Sequence, residues 1–258
     1  MFSINHIIWI VICILFVTVF LIVFRRNKTS LSGVLTWACV ICLLSELIKI
    51  CSVVQVVSAE GTGAATPYIT TNHLPFHLCS MQIILIFYAR FSRNEGSRQA
   101  VLGFMYPTCL LGGAGAIVFP SIFNTTISVS EAFTHPVAYQ TFIYHAMLLV
   151  VAIYIKMCGE VKMDRKTYLS SVLAYYFLMI ISVYLNSILS TPVFDNGKLV
   201  SLEHAPNFMF TFGSPVPFAG FDSVGEWYIY ILEYMVGIAA VFALFFFKEV
   251  FIPDRKKS

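Results

Sequence analysis

Charge is scarce in this chain: of 258 residues only 11% are Asp, Glu, Lys or Arg, while 59% are hydrophobic. So few ionisable side chains cannot cover a water-facing globule. No polar stretch is long enough to make a soluble domain beside the apolar runs, so residues 1–258 are expected to form one integral membrane domain. Internal repeats are also missing, which weighs against the inverted-repeat layout of many secondary transporters. Six of the seven cysteines (Cys13, Cys39, Cys42, Cys51, Cys109 and Cys158) lie in or at the ends of apolar runs. That placement supports neither a disulfide framework nor a zinc ribbon, and it leaves Cys39-x-x-Cys42 as packing residues. Met1 to Asn5 lacks the positive n-region of a cleavable signal peptide, so the first apolar run is expected to stay as a helix.

What the chain does have is a series of apolar runs, near 5 to 24, 34 to 57, 72 to 90, 100 to 120, 136 to 156, 167 to 190 and 225 to 247. Each holds roughly 20 residues, enough to cross about 30 Å of hydrocarbon. The expected fold is therefore all-α, a polytopic membrane bundle of seven transmembrane helices. Fourteen of the sixteen Lys and Arg residues fall into four clusters between the runs: Arg25, Arg26 and Lys28; Arg90, Arg93 and Arg98; Lys156, Lys162, Arg165 and Lys166; Lys248, Arg255, Lys256 and Lys257. All four clusters belong on one side, which the positive-inside rule makes the cytoplasm. The N-terminus is then outside and the C-terminus cytoplasmic, in a multi-pass protein of the cell membrane. The net charge of +3 is accounted for by this orientation and points to no nucleic acid.

Two longer connections, Ser58 to Thr71 and Thr191 to Val224, are expected outside. The second holds Pro192, Gly197, Pro206, Gly213, Pro215, Pro217 and Gly220 among Phe208, Phe210, Phe212, Phe218 and Phe221. A broken yet aromatic segment suits a loop in the outer interface or folded back over a cavity. In the fourth run, Gly112-Gly113-Ala114-Gly115-Ala116 invites close helix packing.

Ionisable groups at membrane depth are costly and usually functional. All six histidines (His6, His73, His77, His135, His145 and His204) fall toward the outer half. The second run carries Cys42, Ser45, Glu46, Lys49 and Ser52 as one polar stripe, with Glu46 and Lys49 spaced to pair. The third opens with Asn72-His73-Leu74-Pro75-Phe76-His77-Leu78-Cys79-Ser80. Read as helix from its start, it puts His73 and His77 on one face and His77 near the positive end of the helix dipole. Cys79 then lies about 200° around from His77, too far for the two to act as nucleophile and base. His145 is roughly 13 Å below the outer end of the fifth run. Met179, Ser182 and Asn186 share a face of the sixth; Glu226, Tyr230, Glu233 and Gly237 share one of the seventh. Together these groups are expected to line a common polar cavity, with Glu46, Lys49, His73, Asn186, Tyr230 and Glu233 as substrate-binding residues. The bland alternative is a scatter of interhelical hydrogen bonds.

Leu74-Pro75-Phe76-His77-Leu78-Cys79, followed by Gly112-Gly113 through Pro120, Tyr144-His145 and Asn207-Phe208-Met209 to Pro215, resembles the YwaF family of bacterial membrane proteins over most of the chain. That family is similar to the eukaryotic transmembrane protein 164. The resemblance implies a compact helical membrane fold centred on the Leu-Pro-x-His-Leu-Cys segment. The eukaryotic relatives look like lipid acyltransferases using a Cys and a His. Their Cys falls where this chain has Phe76, their other histidine matches His145, and Cys79 follows the bacterial pattern.

Three functions are then open. The first is a lipid-modifying enzyme of acyl transfer or hydrolysis, with His77 or His145 as general base, Cys79 or water as nucleophile, and Asn186 or Lys49 stabilising an oxyanion. The second is a zinc-dependent membrane hydrolase, from the i, i+4 spacing of His73 and His77 with His145 or Glu233. The third is a non-enzymatic transporter or binder of a small amphiphile. No metal ligand and no cofactor is assigned, and the expected partner is a membrane lipid as substrate or ligand.

Overall fold

The computed structural model describes residues 2–58, 65–195, 198–213, 221 and 223–252. In chain order its elements are α1 (Ile4–Arg26), α2 (Leu31–Val53), strands β1 (Gln55–Ser58) and β2 (Ala65–Tyr68), α3 (Leu78–Phe91), α4 (Glu95–Val118), a short α5 (Ile122–Thr125), α6 (Pro136–Cys158), α7 (Arg165–Ile188), strands β3 (Thr191–Asp195) and β4 (Lys198–Glu203), α8 (Val224–Phe245) and α9 (Phe247–Phe251). Six of these, α1, α2, α4, α6, α7 and α8, are long and apolar enough to cross a membrane.

The helix starts follow from local chemistry. Ser30, Asn94, Asp164 and Ser223 accept from the backbone N–H three residues on, capping α2, α4, α7 and α8. α6 begins at Pro136, where a missing N–H costs nothing, and ends at Gly159, whose φ of +70° suits a residue without Cβ.

The third apolar run departs from the expected seven-span bundle. α3 starts at Leu78, not near residue 72, and has 14 residues, or about 21 Å. Pro75 cannot donate to a helix and drives Leu74 toward extended backbone, here at φ −64° and ψ 149°. His73 therefore ends a 3-10 turn over Thr71–His73, and His77 precedes the helix. The two histidines share no helical face, and the 200° separating His77 from Cys79 does not apply, because His77 is outside the helix.

The two longer connections each hold an antiparallel hairpin, β1 with β2 and β3 with β4. Of the residues that break the second connection, Gly197, Pro215, Pro217, Phe218 and Gly220 lie outside the described residues, as do Arg255, Lys256 and Lys257 of the last basic cluster.

The chain divides into two compact units, Met1–Ile69 with Met81–Lys162, and Thr70–Ser80 with Met163–Ser258. In the first, α6 packs against α1, α2 and α4. Trp9 stacks on Phe142 at 4.8 Å and on Phe133 at 5.4 Å, and its indole N–H donates to the Ala132 carbonyl at 2.8 Å. Gly113 brings α4 so close to α6 that a Cβ there would meet the His145 carbonyl oxygen at 2.9 Å. In the second unit α7 packs on α8. The Tyr175 and Tyr234 hydroxyls meet at 2.9 Å, and Tyr176 donates to the Met235 carbonyl at 2.8 Å.

Candidate functional site

In the first unit the polar side chains form local sets. Lys49 and Glu46 on α2 pair at 2.7 Å, both partly exposed. One residue earlier, buried Ser45 accepts from Gln140 of α6 at 2.8 Å. His145, one helical turn beyond Thr141, is 8% exposed, and its Nδ1 lies 2.6 Å from the Thr141 carbonyl. Gln82 on α3 donates to Thr108 on α4 at 3.1 Å and accepts from the Cys109 thiol at 3.1 Å. Gln82, Thr108 and Gln140 were not among the expected site residues. A lone amide in an apolar helix is the signal that marks each glutamine.

In the second unit the groups converge on the loop after β4. Fully buried Asn186 on α7 accepts from the Phe208 N–H at 2.9 Å and donates to the Phe208 carbonyl at 3.1 Å and the Thr211 hydroxyl at 2.9 Å. Ser182, one turn earlier, meets the Thr211 hydroxyl at 3.1 Å. Asn207 closes the loop on itself, accepting from Phe212 N–H and donating to the Gly213 carbonyl, both at 2.9 Å. From α8, the Trp227 indole donates to the Thr211 carbonyl at 2.9 Å and Tyr230 to the Phe210 carbonyl at 2.6 Å. So many fixed points hold Met209 and Phe210 at φ of 54° and 56°, a region that costs side-chain-bearing residues energy.

The same loop receives the start of α3. The His77 ring packs edge-on against the Phe208 ring at 4.9 Å, and Phe76 does so at 5.5 Å. Cys79, half-buried, is the second residue of α3. Beyond Thr211 an apolar cleft of about 230 Å³ runs between α7 and α8, walled by Met179, Val183, Trp227 and Ile231.

His77, Asn186 and Tyr230 thus contact one loop of the second unit, and Cys79 belongs to the same unit, while Glu46, Lys49 and His145 belong to the first. The Asn186 amide is committed to backbone and to Thr211, which makes it a positioning residue for the loop. Glu233 is exposed on α8 and forms no hydrogen bond or ion pair among the described residues. His73 is half-buried in its 3-10 turn. Among the described residues no three His, Cys, Asp or Glu side chains gather in a geometry that could hold a metal ion.

Six spanning helices with buried, hydrogen-bonded polar side chains make this a multi-pass membrane protein. The chain matches the TMEM164 family over residues 1–246, and it belongs to that family. Comparison with curated proteins and with solved structures gives no match.

Proposed function

We propose that this protein acts on the acyl groups of membrane lipids in the cell membrane, by transfer or hydrolysis, with its clustered Lys and Arg facing the cytoplasm. One observation carries the reading. The imidazole of His77 packs against Phe208, the thiol of Cys79 lies two residues further on in the first turn of α3, and an apolar cleft leads from Thr211 of that same loop, all within one unit. The cleft is smaller than the roughly 300–1,000 Å³ of sites for drug-sized ligands, which suits a segment of one acyl chain.

In this reading His77 takes the Cys79 proton and the thiolate attacks the ester carbonyl. The tetrahedral oxyanion collapses to a thioester as the lysolipid hydroxyl leaves with that proton. An acceptor alcohol or water then releases the acyl group and returns the thiol. The positive end of α3 favours the oxyanion.

The test is acyl transfer or release by the purified protein in phospholipid vesicles. Cys79→Ala and His77→Ala are expected to lower the rate by about 10²–10⁴-fold. Wild-type rates in both variants would remove the mechanism. Lipid retention without turnover in any variant, wild type included, would favour an amphiphile binder or transporter instead.

A further inference from the structure

A second cavity lies in the first unit, at the end of the helices where the basic residues collect. It measures about 360 Å³ and is lined by Arg25 of α1 with Tyr154, Met157 and Cys158 of α6. Its floor is fixed: the Tyr154 hydroxyl donates to the Thr29 carbonyl, and the Glu160 carboxylate accepts from the Leu31 N–H at 3.2 Å. Gln99 ties α4 to the same corner by donating to the Glu160 carbonyl at 2.9 Å and accepting from the Lys162 N–H at 3.2 Å.

The charge around this cavity is lopsided. Among the described residues the Arg25 guanidinium forms no ion pair with a carboxylate. Arg26 and Lys28 follow it directly, and Lys156 stands near the end of α6 over the Tyr106 ring at 5.5 Å. The C-termini of α1 and α6 contribute partial negative charge of about half a unit each. Glu160, already engaged at the start of α2, adds one full negative charge. The three formal positive charges of Arg25, Arg26 and Lys28 alone outweigh them.

We infer that this cavity is a binding site for a phosphate-bearing anionic headgroup, held by the forked donors of Arg25 and supplied by a lipid of the surrounding leaflet. Guanidinium geometry matches two phosphate oxygens at once, which neither a lysine nor a diffuse basic surface does. Basic hollows between spanning helices are where anionic headgroups are recognised. The exposed, apolar Met157 beside the arginine leaves room for the start of the lipid's glycerol and chains. The site belongs to the unit that lacks Cys79 and the α7–α8 cleft, so it stands whether or not acyl chemistry is found.

The experiment is native mass spectrometry of the full chain released from detergent with phosphatidylglycerol, phosphatidylcholine or inorganic phosphate added. Wild type is expected to retain phosphatidylglycerol over phosphatidylcholine, and millimolar inorganic phosphate is expected not to displace it. Arg25→Gln should weaken retention roughly tenfold or more, the scale of one charge-assisted contact. Met157→Trp, which fills the cavity and keeps every charge, should weaken it comparably, while Arg26→Gln should change it less than about threefold. Equal losses for Arg25→Gln and Arg26→Gln, or no preference between the two lipids, would overturn the site as a general surface-charge effect. Displacement by inorganic phosphate alone would overturn the lipid as its source.

Discussion

The side chain of Asn186 on α7 grips Phe208 by both backbone groups, accepting from its N–H at 2.9 Å and donating to its carbonyl at 3.1 Å. No water can replace either bond, because both residues are fully buried. The clamp makes the loop after β4 a fixed surface against which His77 packs, and it explains how Met209 and Phe210 are kept at positive φ. Asn186→Ala should therefore lower stability by about 1–3 kcal/mol, the cost of orphaning buried backbone groups. It should also expose the loop to protease. Asn186→Asp, which keeps the acceptor but sets a buried carboxylate oxygen against the Phe208 carbonyl, should lower stability at least as much. Thermal unfolding in detergent with timed proteolysis reads both effects.

The glycine run in α4 gives a sharper contrast. Gly113→Ala would push a Cβ to 2.9 Å from the His145 carbonyl and 3.0 Å from Leu149, and overpacking of this kind costs about 1–3 kcal/mol. Gly115 faces open space, so Gly115→Ala should be neutral or slightly stabilising through helix propensity. Equal unfolding temperatures for the two variants would contradict the close approach of α4 to α6.

Glu46 and Lys49 pair at 2.7 Å with side chains 29% and 15% exposed. Removing only the carboxylate, in Glu46→Gln, strands a cation at membrane depth. Removing both charges, in Glu46→Gln with Lys49→Met, does not. The single variant should be the less stable of the two, which a double-mutant cycle on unfolding temperature reads directly.

Near the start of α6, Glu131 accepts from the Ser128 N–H and hydroxyl, both at 2.9 Å. The backbone N–H, and next the hydroxyl, hold its carboxyl below the ordinary value of 4.5. A depressed folded-state value means that stability from this turn is complete above the unfolded value and is lost as pH falls through the lowered one. Glu131→Gln should thus differ from wild type by a constant amount above about pH 5, and the gap should close in stronger acid. A gap that widened on acidification would refute the capping turn.

Hydropathy and charge made most of this architecture legible in the sequence. α6 begins at Pro136 as the sequence reading had it, because a first-turn proline is a local signal. The start of α3 misled for a local reason too: Leu74, Phe76 and Leu78 carry enough hydropathy to look like helix, while the backbone limits of Leu74-Pro75 keep it from forming one. The β3–β4 hairpin carried a readable cue that hydropathy obscured, since Asn196-Gly197 between two β-prone runs is a strong turn pattern. The partners of Asn186 were not legible. It lies 22 residues from Phe208, and nothing in periodicity says which backbone a buried amide will hold. Gln82 with Thr108, 26 residues apart across two helices, is hidden for the same reason.

The central claim is a thioester on Cys79, and intact-protein mass measurement after incubation with a phospholipid carrying an isotope-labelled acyl chain tests it most directly. The account predicts one added labelled acyl group on wild type, removed by neutral hydroxylamine and absent from Cys79→Ala. An unmodified wild type, together with undiminished acyl turnover in Cys79→Ala, would contradict it.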